Sequence, residues 1–123
     1  MTLANTSDHI IKVAPAFHPY FSHKGSVAID GAKQANLDDY KEAIFVTGSK
    51  HIIRTESRLI TLQSENLPLW AQWTDQLAPY ICIEPTHSGF SFSEDVSRAD
   101  QLKPGAEHAY AFVVAWSPST LEN

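Results

Sequence analysis

The sequence predicts an all-β protein, an antiparallel β-sandwich built by residues 1–123 as a single domain. Three observations carry that expectation. The apolar residues fall in short, β-branched and aromatic runs. Glycine, proline, asparagine and aspartate punctuate the gaps at close intervals. One stretch, Leu37 to Ala43, suggests a helix, and it is short and weakly periodic. With 123 residues, 43% of them hydrophobic, the chain can fill one core but not two. A charged fraction of 19% is too low for a typical disordered chain.

The expected strands follow in order. His9 to Val13 and Ser26 to Asp30 are the first two, the second closed by Gly31. Ala43 to Thr47 and His51 to Thr55 flank Gly48-Ser49 and read as a hairpin. Arg58 to Gln63, Trp70 to Trp73 and Tyr80 to Glu84 come next. The turns are Asp30-Gly31, Gly48-Ser49, Asn66-Leu67-Pro68, Ala78-Pro79, Ser88-Gly89 and Pro104-Gly105. Ser91 to Leu102 is polar and expected to be a loop over one end of the sandwich. Ala109 to Trp116 is the longest run and is apolar on both faces, which predicts a central strand covered on both sides. Ser117 to Asn123 is expected to fray.

Charge and cysteine content exclude several functions. The net charge is −5 and the basic residues are scattered singly, so neither nucleic acid nor an anionic membrane surface finds a basic stripe. Cys82 is the one cysteine, so no intrachain disulfide forms, and a reducing compartment fits. No basic region followed by an apolar run opens the sequence, and no apolar stretch is long enough to span a bilayer. A soluble cytoplasmic protein is expected.

Two segments could carry chemistry. In Tyr80-Ile-Cys-Ile-Glu84-Pro85, strand alternation puts Tyr80, Cys82 and Glu84 on one face. Pro85 holds the preceding residue extended and so fixes where the carboxylate points. Partial desolvation there would raise its pKa and suit it to act as a base. The same pattern also reads as a glutamate at a strand's edge in solvent. In Ala16-Phe-His18-Pro-Tyr-Phe21, a histidine is held between aromatics and stiffened by Pro19. Histidine exchanges a proton near neutrality, yet this one reads equally as a partly buried side chain bonded to a carbonyl. The other five histidines form no metal-ligand spacing, and no phosphate loop, dinucleotide fingerprint or nucleophile elbow occurs. Trp70, Trp73 and Trp116 read as core, although an indole can also stack on a pyranose ring.

Taken together, these segments resemble the aldose 1-epimerase superfamily. Asn5-Thr-Ser-Asp8 with Ala16-Phe-His-Pro-Tyr-Phe21 resembles that family's mid-chain turn and histidine motif. Tyr80-Ile-Cys-Ile-Glu-Pro85, then Leu102-Lys-Pro-Gly-Ala-Glu107 and a closing strand, is similar to its C-terminal signature. Gly31 to Trp73 resembles the hexose-6-phosphate mutarotase branch more loosely. The likeness spans nearly the whole chain and matches the family's C-terminal half. It implies a galactose mutarotase-like sandwich, about half of the full supersandwich. It also implies interconversion of the α and β anomers of an aldose or aldose 6-phosphate, with Glu84 as base and His18 as acid. No cofactor and no metal are implied. Asp38 or Asp39 would match a carboxylate that binds sugar hydroxyls, with Asp39, Tyr20 and Trp73 expected in the sugar site. Arg54 and Arg58 are the candidates for phosphate.

The expected partner is a small sugar or sugar phosphate, with no nucleic acid and no membrane. A homodimer is expected to cover the last strand. Two other readings stay open: a non-catalytic carbohydrate-binding or protein-interaction module, and a cupin-like metal protein drawing on the six histidines.

Overall fold

The computed structural model describes residues 1–31, 33–75 and 79–119. Among them lie twelve strands: β1 Thr2–Ala4, β2 Ile11–Val13, β3 Tyr20–Ser22, β4 Val27–Ile29, β5 Ile44–Thr47, β6 Lys50–Thr55, β7 Arg58–Glu65, β8 Leu69–Trp73, β9 Tyr80–Thr86, β10 Asp100–Leu102, β11 Glu107–Ala109 and β12 Ala111–Pro118. One four-stranded sheet has the order β12-β7-β6-β4, the other β3-β9-β8-β5, and every pairing is antiparallel. The short ladders β1–β11 and β2–β10 lie outside these two sheets. No helix of the described residues is long and apolar enough to cross a membrane.

Alternation explains the sandwich. In β6 and β7, His51, Ile53 and Thr55 and then Ile60, Leu62 and Ser64 are buried, while their neighbours are more exposed. In the other sheet Phe21, Trp70, Ile81 and Ile83 turn inward. These meet Val27, Ile53, Ile60 and Leu62 in one apolar core. Each such side chain contributes on the order of 1.5–3 kcal/mol when fully buried. Because Ile81 and Ile83 take the core side of β9, Tyr80, Cys82 and Glu84 are left to the outer face.

Several expectations are corrected. Ala43 to Thr55 is not a hairpin. β5 pairs with β8 and β6 with β7 and β4, so Gly48-Ser49 carries the chain from one sheet to the other. Gly48 takes a φ of 138° there, a conformation that glycine adopts without strain. Leu37 to Ala43 is not an α-helix but a single 3₁₀ turn, Leu37–Tyr40, capped by the Asn36 side chain accepting from the Asp38 N–H. The polar Ser91 to Leu102 segment contains a 3₁₀ turn, Val96–Arg98, and ends in β10, anchored by the fully buried Leu102.

The closing strand departs furthest. It breaks at Tyr110, and β12 pairs with β7 at the edge of its sheet. Val114 and Trp116 lie opposite Leu62 and Ile60, on the core side, yet Trp116 is 62% exposed. Among the described residues Val114 and Trp116 stay exposed, whereas Phe112 on the same face packs against the core and Trp70, so the expected cover reaches only the start of β12. β12 continues to Pro118 where fraying was expected, and residues 120–123 lie outside the described residues. Ala78 of the expected Ala78-Pro79 turn also lies outside them.

Candidate active site

The outer face of the β3-β9-β8-β5 sheet brings His18 and Glu84 together. The bridge Ala16↔Thr86 and the β3–β9 pairs beginning at Tyr20↔Cys82 share one register, so His18 falls directly opposite Glu84. Backbone bonds continue on both sides: Phe17 N–H donates to the Pro85 carbonyl and His87 N–H to the Pro15 carbonyl. Pro19 has no N–H to give, and the regular ladder is interrupted at His18-Pro19. Cross-strand partners have Cβ atoms about 5 Å apart, and here the side chains meet. His18 Nδ1 lies 2.9 Å from Glu84 Oε1.

The two environments differ. The Glu84 side chain is 19% exposed and that of His18 56%. Burial pushes the Glu84 carboxyl above the usual carboxylate range, and this outweighs the lowering by the His18 charge and by a hydrogen bond from Cys82. The Cys82 thiol is pushed up to about 12, first by burial and then by the Glu84 charge. Tyr20 stacks on His18 with ring centroids 4.8 Å apart, and Tyr80 meets Tyr20 edge-on. Burial adds to the effect of the Tyr80 hydrogen bond to Asp75 Oδ2, and together they raise the phenol to about 12, the hydrogen bond being the larger cause. Trp73 lies opposite Cys82 on the far side of β9, next to Tyr80, and its Nε1 donates to the Lys41 carbonyl.

The remaining predicted residues are placed as follows. Asp39 is exposed on the 3₁₀ turn, which is tied to the end of β8 by the Thr74 N–H to Tyr40 carbonyl bond. Arg54 is not brought to the pair. It lies on β6 between the buried Ile53 and Thr55, so it points away from the core on the other sheet. Arg58 is also on that sheet, where its guanidinium lies 5.1 Å from the Trp116 ring. Trp70 is core, as the sequence suggests, and its Nε1 donates to the Gly48 carbonyl. Among the described residues, the donor atoms of His18, Cys82 and Glu84 form a group that could hold a metal ion, all within 4.8 Å of one another.

A second polar cluster was not singled out from the sequence. Asp100 Oδ2 accepts from Tyr110 Oη at 2.5 Å and contacts His108 Nδ1 at 2.8 Å, with His87 Nε2 at 3.9 Å. These residues line a cavity of about 960 Å³ together with Ser64 and Leu67. Burial raises the Asp100 carboxyl, but hydrogen bonds from Tyr110 and His108 and the charge of His87 and His108 outweigh it and leave it low. Tyr110 and His108 are spent on Asp100, whereas the buried Nδ1 of His87 has no hydrogen-bond partner. The sequence signal was faint because β10 and β11 are three residues each and their partners are far along the chain.

No protein-family model matches the sequence, and no curated protein matches it. Solved structures do. An Escherichia coli K12 protein assigned as an aldose 1-epimerase superposes with a TM-score of 0.76 at 12% identity, covering 96% of this chain and 55% of that one. A galactose mutarotase-like protein from Lactobacillus casei ATCC 334 gives 0.73 at 16% identity, covering 96% and 57%. The chain thus spans little more than half the length of the structures it matches. It has the fold of the aldose 1-epimerase and galactose mutarotase-like proteins over that part of their length, a sandwich that does not favour the cupin-like reading.

Proposed function

We propose that this chain is an aldose mutarotase, interconverting the α and β anomers of a sugar with Glu84 as base and His18 as acid. The observation that carries the reading is the 2.9 Å contact between His18 and Glu84 on the open face of a mutarotase-like sheet. The ionised Glu84 takes the proton of the anomeric hydroxyl. The C1–O5 bond breaks as the His18 imidazolium gives its proton to the ring oxygen. The aldehyde turns about C1–C2, and closure on its other face returns both protons. The groups exchange roles in the reverse direction, as the acid and base of an interconversion must. Because Nδ1 and Oε1 already touch, sugar is served by parting of the pair or by the atoms of the two groups not engaged in that contact. Tyr20 and Trp73 offer ring faces beside it, and Asp39 is the candidate for sugar hydroxyls. The site uses no cofactor. Arg54 and Arg58 belong to the other sheet, which favours a neutral aldose over a phosphorylated one.

The uncovered β12 edge supports a homodimer, since a long apolar edge strand is a template for pairing. A non-catalytic sugar-binding module is the second reading, favoured by the chain spanning 55–57% of its structural neighbours. The protein is read as soluble and cytoplasmic. One-dimensional NMR of freshly dissolved α-glucose tests the activity. The protein should speed equilibration, and Glu84→Gln should slow the catalysed rate by about 10²–10⁴-fold, the usual contribution of a positioned acid or base. An equilibration rate unchanged by the protein across a panel of aldoses would refute catalysis.

A further inference from the structure

The geometry points to a second use of this face: a site for a thiophilic divalent cation, of which Zn²⁺ is the type, held by His18, Cys82 and Glu84. Anomerisation accounts for the histidine and the glutamate. It leaves the cysteine without a task. Cys82 and Glu84 are two residues apart on the same face of β9, and His18 lies opposite Glu84 across the strand gap. Three donors of different softness therefore converge from two backbone segments whose register is already fixed. His18 Nδ1, Cys82 Sγ and a Glu84 carboxylate oxygen lie within 4.8 Å of one another. Zinc bonds of about 2.0–2.3 Å in a tetrahedron put the donors roughly 3.3–3.8 Å apart. Side-chain rotation closes that difference without moving the strands.

The donor set selects the ion. Thiolate, imidazole and carboxylate together suit zinc and its neighbours, whereas magnesium and calcium take oxygen alone. The sulfur is shielded, since Tyr20 and Trp73 stand opposite Cys82 on the two neighbouring strands. The histidine side is open, so a fourth position faces solvent, where water or a sugar hydroxyl can sit. On binding, the ion forms one bond each to sulfur, nitrogen and oxygen. The thiol proton leaves to solvent, and the direct His18–Glu84 contact is replaced by the two metal bonds. The cation supplies the opposite charge that a buried thiolate lacks. An ion seated there withdraws both the base and the acid from sugar, so cation and anomerisation exclude each other. That last consequence rests on the mutarotase reading; the cation site does not.

Co²⁺ and Zn²⁺ titrated into the full chain, with no sugar present, test the site. Co²⁺ should bind one to one and give a thiolate-to-metal charge-transfer band, and calorimetry should give one Zn²⁺ per chain. Cys82→Ser should abolish the band. It should also weaken Zn²⁺ by more than the roughly 10–100-fold that loss of an outer-shell partner costs. Glu84→Gln, which keeps the buried thiol, should weaken binding too and serves if Cys82→Ser does not fold. His87→Ala with His108→Ala, at the other polar cluster, should leave both readouts unchanged. Absence of the charge-transfer band, or Zn²⁺ binding indifferent to Cys82→Ser and Glu84→Gln, overturns the site. Anomerisation is assayed in parallel with chelator and with Zn²⁺. Activity without metal binding removes this proposal alone, and metal binding without activity removes the mutarotase reading alone.

Discussion

Replacing Tyr110 by phenylalanine should destabilise the protein by about 1.5–3 kcal/mol at neutral pH, the usual worth of a hydrogen bond to a charged group. Tyr110 is 1% exposed, and its hydroxyl donates to Asp100 Oδ2 at 2.5 Å. The Asp100 side chain is 20% exposed, so solvent replaces the lost donor only in part. His108 Nδ1 at 2.8 Å remains, which keeps the loss near the single-bond range. With an unfolding entropy of about 2.1 cal/mol/K per residue and 123 residues, that is a fall in Tm of about 6–12 °C. The pH dependence is fixed in sign. Although burial pushes the Asp100 carboxyl upward, its hydrogen bonds from Tyr110 and His108 hold it below its ordinary value, so the folded state binds fewer protons there than the unfolded chain. The stabilisation is complete above the unfolded pKa and is lost as pH falls through the folded one. Tyr110→Phe should therefore cost most at pH 7 and converge on the parent in acid. Thermal unfolding followed by circular dichroism at both pH values measures this. A loss under 0.5 kcal/mol at neutral pH, or one that does not shrink in acid, would refute the assignment of the hydroxyl to an ionised Asp100.

Three further outcomes follow, two from the site and one from the edge. Burial raises Glu84, and the base must be ionised, so kcat/KM for anomerisation should fall as pH drops through a limb above the ordinary carboxylate range. Cys82→Ala removes a hydrogen bond that lowers Glu84, so it should move that limb to higher pH, and a limb that stays or moves to lower pH counts against the thiol's part. Trp116→Lys should turn a dimer into a monomer in sedimentation with little effect on the fold, because Trp116 is 62% exposed on the edge strand. A parent protein that is monomeric at every concentration would remove the dimer.

Much of the architecture was legible because period-two burial is local. Arg58 to Gln63 and Tyr80 to Glu84 are legible in the residues themselves, and both became strands, the second with Ile81 and Ile83 on one face and Tyr80, Cys82 and Glu84 on the other as expected. What alternation cannot carry is partnership. Gly48-Ser49 looks like a hairpin turn, but whether β5 meets β6 or β8 depends on the whole sandwich. The cover over Trp116 likewise depends on where another sheet ends. Glu84 and His18 could be named by motif, whereas their meeting rests on a register between distant segments. The meeting of Asp100, His108 and Tyr110 was not legible because Asp100 and His108 sit on three-residue strands whose partners are far along the chain, and the break at Tyr110 leaves no mark in the apolar run. The sheet that carries Arg54 was hidden for a related reason. A charge on a strand shows no sign of which of two sheets it belongs to until the pairing is known.

The interruption of the ladder at His18-Pro19 also bears on the order in which the molecule assembles. β6–β7 and β8–β9 pair neighbours in the chain, whereas β3 reaches β9 across about half of the sequence. Closing a long loop costs entropy before any contact rewards it. The three-residue β3 must offset that cost with few backbone bonds, since proline denies it one beside the histidine. His18 and Glu84 are thus expected to come together late in folding. In native-state hydrogen exchange, the amides of β3 should open before those of β7 and β8. Local loosening there would separate His18 from Glu84 while leaving the core of the sandwich intact.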